Sequence, residues 1–295
     1  MRRHLIPSLG NLPITQLKPE HIQRYYSEKA SSGLSTQTIR HHHTCLHKAL
    51  QVAEEWGLIT RNPSDAVRPP RVQRNEMQTW NEEEVSLFLD AARHGPYYAL
   101  FYVALFTGMR RSEILALRWC DVDLILCQIH VSRSLHVLKG GQPVFRSTKT
   151  DKGRRMVALS PSTALVLGEH RKKQELEKAM LEIKPQDNDL VFSQIDGNPM
   201  LPNTVTHAWI KLVRRTGIKV IRLHDARHTH ASLMLKQGAH PKVVQERLGH
   251  ASIQVTLDTY SHVAPGLQEA AAKRFDEAFT VKYNKRENEA VENHY

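Results

Sequence analysis

Apolar residues recur at helical spacing along most of this chain and alternate in the manner of strands only near its middle. Residues 1–17, interrupted by Pro7, Gly10 and Pro13, are expected to be extended or loop-like. Pro19 opens a predicted helix over residues 19–30, stopped by Ser31-Ser32-Gly33. Ser35 suits the N-cap of a second helix over residues 36–56, with Gly57 just past its end. Its apolar stripe is Ile39, Leu46, Leu50, Ala53 and Trp56; the opposite side carries Arg40, His41, His42, His47 and Lys48. The run His41-His42-His43 is not a metal tract, because consecutive helical residues point about 100° apart.

Residues 67–78, VRPPRVQRNEMQ, are proline-containing, charged and poor in apolar positions, which predicts a linker. Asn81, with Glu84 three residues on, starts a helix over residues 81–93 in the manner of a capping box. Residues 96–106 are apolar nearly all round, so that helix should be buried. Thr107-Gly108 ends it, and a short helix follows over residues 112–117. Between residues 122 and 159 the period changes. Strands are predicted around residues 128–134, 143–146 and 155–159, forming an antiparallel sheet of about three strands. Helices return over residues 160–183, 203–216, 223–237, 241–247, 252–260 and 267–279, with Gly238 and Gly249 as stops. The expected fold is mainly α with a small antiparallel β-sheet, in two domains. Residues 1–66 form a helical domain, 67–78 a linker, 79–280 an α+β domain and 281–295 a polar tail.

Composition narrows the function classes. A hydrophobic content of 40% over 295 residues supports packed cores. No apolar run reaches the length of a membrane span, and the basic N-terminus lacks a signal peptide's apolar stretch, so cytoplasmic residence is expected. Three cysteines, Cys45, Cys120 and Cys127, form no CxxC pair, so neither a disulfide framework nor a thiolate metal site is expected. The 41 Lys and Arg exceed the 30 Asp and Glu by 11, which suits a polyanionic partner as readily as simple solubility. Arg40, His41 and Lys48 on the second helix, with Arg68, Arg71 and Arg74 in the linker, are the candidates for contact with a DNA backbone. The plainer reading of each is a solvated charge.

The densest chemistry lies in residues 222–263, RLHDARHTHASLMLKQGAHPKVVQERLGHASIQVTLDTYSHV. His224 and Arg227 are three apart and share a helix face; His250 follows Leu248-Gly249; Tyr260 lies ten residues further on. Arg110 stands just beyond a glycine break, with Glu113 placed to orient its guanidinium. Such groups match what attack on a phosphodiester requires. Arginine forks neutralise the charge developing on the non-bridging oxygens, a hydroxyl attacks in line, and a base and an acid move the protons. Singly, each residue is unremarkable: a surface arginine, a solvated HxxR pair, a half-buried tyrosine. Their joint occurrence and order carry the argument.

TGMRRSEILALRW (residues 107–119), HDARHTHAS (224–232), LGH (248–250) and TLDTYSHV (256–263) resemble, in order and spacing, the signature boxes of the tyrosine recombinases, the phage-integrase family. GLSTQTIRHHHTCLHKALQVAEEWGLITRNP resembles that family's helical, SAM-like core-binding domain. The likeness runs from about residue 5 to 280 and is nearest to integrases of Gram-positive phages and of integrative or conjugative elements. It implies that Arg110 and Arg227 clamp the scissile phosphate. His224 and His250 bond its oxygens, with His224 the candidate proton acceptor, and Tyr260 is the nucleophile. The family's hairpin lysine falls on Lys149 in STKTDKGRRMVAL, with Lys152 and Lys139 as alternatives. It further implies cleavage and rejoining through a 3′-phosphotyrosyl link without cofactor or metal. The expected partners are duplex DNA attachment sites, a homotetramer on DNA and an accessory DNA-bending or excision protein. The resemblance implies that the additional arm-binding domain of many relatives is missing here, either truly or through truncation of the start. Three alternatives stay open: a Xer-like chromosome or plasmid dimer resolvase, a type IB topoisomerase-like enzyme, and an inactive DNA-binding derivative.

Overall fold

The computed structural model describes residues 2–72, 77–147, 153–182, 189–260, 272–273 and 275–276. The chain divides into two compact units, Met1–Glu76 and Met77–Tyr295. Among the described residues, no helix is long and apolar enough to cross a membrane.

The first unit is built from α1 (Leu5–Leu9), α2 (Pro19–Ser31) and α3 (Thr36–Glu55). The loop expected over residues 1–17 is corrected by α1. Pro7 is accommodated because the first helical turn has no intrahelical use for its missing N–H. Leu5 is buried against Ile22, Tyr25, Tyr26, Ile39 and Leu50, and this packing holds a helix that local sequence disfavours. Ser35 caps α3 by accepting from Thr38 N at 3.2 Å. Two positions on α3 depart from the amphipathic reading. Trp56 is 75% exposed rather than part of the core stripe. His42 is buried, its Nδ1 2.8 Å from the Tyr25 hydroxyl, while His43 Nδ1 lies 2.8 Å from that of Tyr26. Helical rotation alone does not reveal that two tyrosines on α2 supply polar partners for this side of α3.

The second unit begins with α4 (Glu82–Ala92), whose capping box forms as expected. Glu84 N donates to Asn81 Oδ1 at 2.8 Å, and Asn81 N to Glu84 Oε2 at 2.9 Å. Then come α5 (Tyr98–Thr107), buried on most sides, and the single turn α6 (Arg111–Ile114). Among the described residues, five strands make two sheets, not one. In one, β2 (Gln128–Val131) lies between β1 (Val122–Asp123) and β5 (Arg155–Ala158); in the other, β3 (Arg133–Val137) pairs with β4 (Pro143–Ser147). All pairings are antiparallel. The strand expected over residues 128–134 is thus interrupted at Ser132, and its two halves take different partners, Met156 opposite His130 and Arg146 opposite Ser134.

Helices α7 (Pro161–Met180), α8 (Pro202–Thr216), α9 (Leu223–Lys236), α10 (Pro241–Leu248) and α11 (Ile253–Tyr260) complete the described part. The core gathers Trp80, Phe88, Phe101 and Trp209, with Phe88 and Trp209 centroids 4.4 Å apart. A smaller cluster, Ala231, Leu235, Val244, Leu248 and Tyr260, seats α10 and α11 on α9. Arg74, Lys149, Lys152 and the tail over residues 281–295 lie outside the described residues. The helix expected over residues 267–279 is described only at 272–273 and 275–276, which are helical.

Candidate active site

Two left-handed glycines shape the floor. Gly108 (φ 64°) ends α5, and a Cβ there would sit 2.7 Å from His230 and Leu248 atoms. Gly249 (φ 67°) ends α10, and a Cβ there would sit 3.0 Å from the Arg155 guanidinium. Both positions therefore favour glycine on conformation, and at Gly108 a Cβ also lacks space. The turns bring backbone carbonyls to two arginines. Arg227 Nη1 donates to Gly108 O at 2.8 Å and Nη2 to Leu248 O at 2.7 Å, while Arg110 Nη2 donates to Gly249 O at 3.3 Å.

The two guanidiniums are held differently. Arg110 precedes α6 and is fixed by Glu113, which accepts from Arg110 N at 2.9 Å and from Arg110 Nη1 at 2.8 Å. Arg227 is 3% exposed, and among the described residues no carboxylate pairs with it directly. Burial first, and the neighbouring Arg110 charge second, push Arg227 down to about 9. A buried cation whose hydrogen bonds, among the described residues, go to backbone carbonyls makes a strongly positive site, which an anion would complete.

Glu113 is the hub behind this floor. Arg155, at the start of β5, donates to both of its oxygens at 3.1 and 2.8 Å, and Arg155 Nε donates to Arg247 O at 2.7 Å. Burial pushes the Glu113 carboxyl up, but the bonds and charge of Arg155, with those of Arg110, outweigh it and hold it below its usual range. Sequence reasoning missed Arg155. The signal was present in strand alternation: Val157 is a core position, so Arg155, two residues earlier, faces the same way, whereas Arg154 is exposed.

On α9, His224, Arg227 and His228 share a face. His224 is exposed at its rim. Protein crowding first and Arg227 second hold its imidazole below the usual range. His250 lies just past the Gly249 turn, its Nδ1 2.8 Å from Thr256 Oγ1, and its ring is parallel to that of Tyr260 at 6.4 Å. Burial and then the Arg227 and Arg110 charges lower His250 to about 4. Tyr260 closes α11 with 1% exposure; burial pushes its phenol up to about 12, against the pull of Arg227. The phenolic oxygen lies 2.8 Å from Nδ1 of His228, a residue that the HxxR reading passed over. Its position one turn after His224, on the face already assigned, was the available signal.

The structure therefore gathers Arg110, Arg227, His224, His250 and Tyr260 around one floor, with Glu113 beneath it. Of the DNA-contact candidates, Arg40, His41, Lys48, Arg68 and Arg71 are exposed in the first unit. A cavity of about 780 Å³ in the second unit, lined by Leu89, Tyr102, Leu165 and Met234 among others, contains none of the catalytic candidates.

Comparison with known proteins accords with this geometry. Residues 78–266 match the phage integrase family, and residues 1–30 match its N-terminal SAM-like domain. The chain is 29% identical over 279 residues to the ICEBs1 integrase of Bacillus subtilis, covering 94% of this chain and 75% of that protein. It is 27% identical over 288 residues to a XerC-like tyrosine recombinase of Caldanaerobacter subterraneus, covering 92% and 74%. Among solved structures, a Tn1549 transposon integrase in complex with a circular intermediate DNA superposes with a TM-score of 0.78 at 23% identity, covering 90% of this chain and 88% of that one. On the match that spans most of the second unit, the chain belongs to the phage integrase family, the tyrosine recombinases.

Proposed function

We propose that the protein integrates or excises a mobile element by cleaving and rejoining DNA at Tyr260. The supporting observation is the convergence around one floor of a second arginine, a tyrosine hydroxyl and a buried arginine that has no direct carboxylate partner among the described residues. Arg110 and Arg227 bind the non-bridging oxygens of the scissile phosphate, with His224 and His250 donating to the same oxygens. The Tyr260 oxygen attacks phosphorus and gives up its proton. The bond to the 5′-oxygen breaks, and Lys149 protonates that oxygen as it leaves. The phosphodiester becomes a 3′-phosphotyrosyl ester of similar energy, so a 5′-hydroxyl from a partner strand reverses the reaction without external energy. Glu113 orients Arg110 and touches no reacting atom.

The partners of this reading are duplex attachment sites and three further copies of the chain on DNA, with an accessory bending or excision protein directing the outcome. Exposed Arg40, His41, Lys48, Arg68 and Arg71 supply phosphate contacts from the first unit, and Arg74 belongs to the same set. The protein acts in the bacterial cytoplasm, where its substrate lies. The likeness to an integrative-element integrase favours this reading over dimer resolution, although a XerC-like relative is also similar.

The test uses a duplex core sequence selected from a random DNA pool by the Tyr260→Phe protein, then nicked close to the cleavage point so that religation fails. Wild type should form a covalent adduct that survives detergent and disappears with protease. Tyr260→Phe should bind the duplex and form none, and EDTA should leave the wild-type yield unchanged. An adduct with Tyr260→Phe would remove Tyr260 as nucleophile.

A further inference from the structure

The proposed chemistry leaves open where the phenolic proton goes. The geometry points to His228 as the catalytic residue that accepts the Tyr260 proton, an inference that rests on the recombinase reading above. Its Nδ1 is 2.8 Å from the phenolic oxygen, within direct transfer distance. The His228 ring also packs edge-on against His224, centroids 5.2 Å apart, and tilted against Tyr260 at 5.7 Å, so it is gripped on two sides. His224, by contrast, sits exposed at the rim, where it can meet a phosphate.

The groups around His228 set its protonation. His224, Asp225, Arg227 and Arg222 face it from α9 and its cap, and Tyr260 and His250 from α11 and the turn before it. Burial and then the His224 charge lower it to about 4, with Asp225 opposing, so the free protein carries a neutral imidazole at neutral pH. In the tautomer with the proton on Nε2, Nδ1 has a free lone pair and the phenol donates to it. A phosphate seated between Arg110 and Arg227 adds negative charge and raises the basicity of this imidazole as transfer begins. In the step itself, the O–H bond of Tyr260 breaks and Nδ1–H forms. The tyrosine oxygen bonds to phosphorus, and the 5′-oxygen leaves with a proton from Lys149. In the reverse step His228 returns its proton to the departing phenol, so the cycle needs no further reactant. Tyr260 is a phenol raised to about 12, far from spontaneous ionisation at neutral pH, so an adjacent acceptor has a large effect.

The experiment measures single-turnover adduct formation on the selected, nicked duplex, from pH 4.5 to 9, with folding checked by thermal melting. His228→Asn keeps an acceptor oxygen near the Nδ1 position but does not titrate. It should bind DNA within about threefold of wild type and cleave on the order of 10²–10⁴-fold more slowly. A seated phosphate lifts the imidazole above its value of about 4 in the free protein, so the wild-type rate should fall as pH drops toward 4.5, and His228→Asn should lose that limb. His228→Ala should regain rate with added imidazole, and His224→Asn, although slower, should keep the acid limb. Cleavage by His228→Asn at the wild-type rate with the wild-type profile would overturn the assignment, as would loss of the acid limb in His224→Asn instead. Failure of wild type to form any adduct would overturn the recombinase reading, and this inference with it.

Discussion

At the scale of the residue, the buried ion pair behind the floor is the most consequential contact. Arg155 and Glu113 side chains are 7% and 4% exposed, and their two hydrogen bonds tie β5 to α6. Removing one member of such a pair leaves the other charge buried, whereas the pair itself contributes little over an apolar pair of equal volume. Arg155→Met should therefore destabilise the protein by about 3 kcal/mol or more in urea unfolding. A loss below about 1 kcal/mol would show that Arg110 alone satisfies Glu113. The residue types of the site were legible in the sequence because Arg110, His224, Arg227, His250 and Tyr260 stand in sharp motifs. Alternation and helix face could place Arg155 and His228 but not assign their roles, which depend on what lies across the fold: a carboxylate 42 positions away and a phenol 32 positions away.

At the scale of the element, helix α3 shows how partners modify a periodic pattern. Its apolar positions Ile39, Leu50 and Ala53 are buried as the period predicts, and Ser35 caps it. Its buried His42 and half-buried His43 take Tyr25 and Tyr26 of α2 as polar partners. Burial comes first in lowering both, with His4, the N-terminal amine, Lys29 and His41 acting on His42. His47 and Arg40 lower His43 further, against the opposite pull of Asp65. A histidine lowered in the folded state contributes stability that is full above the unfolded value of 6.5 and is lost as pH falls below it. Amide exchange in α2 and α3, corrected for intrinsic rates, should accelerate from pH 7 to 5, and His42→Gln should reduce that dependence. Equal protection at both pH values would contradict the assignment. The strands show the opposite lesson. Alternation located them, but the change of partner at Ser132 is a pairing event that no local pattern encodes.

At the scale of the molecule, the excess of 11 positive charges and the exposed basic residues of the first unit set the expected response to salt. Each phosphate neutralised contributes about −0.9 to the slope of log affinity against log salt. Fluorescence anisotropy on duplex DNA should show a fall of about 10³-fold or more between 50 and 200 mM salt if at least six phosphates are contacted. The double variant Arg40→Ala, Lys48→Ala should make the slope shallower by roughly two units. An unchanged slope would remove these two residues from the DNA interface.

Residue order alone carries the helical and alternating segments, their caps and stops, the basic charge, and the identity and order of the groups able to act on a phosphodiester. These depend on residue type and short spacing, which the chain carries locally. How those groups meet is set by the folded chain. It packs α10 and α11 on α9 through Leu235, Val244, Leu248 and Tyr260. It also turns the chain at Gly108 and Gly249, so that backbone carbonyls reach Arg227 and Arg110. Burial then withholds a direct carboxylate partner from Arg227 among the described residues and places the Tyr260 phenol on His228. Desolvation and long-range proximity are properties of the folded chain, which is why the charge and proton chemistry of the site became visible only there.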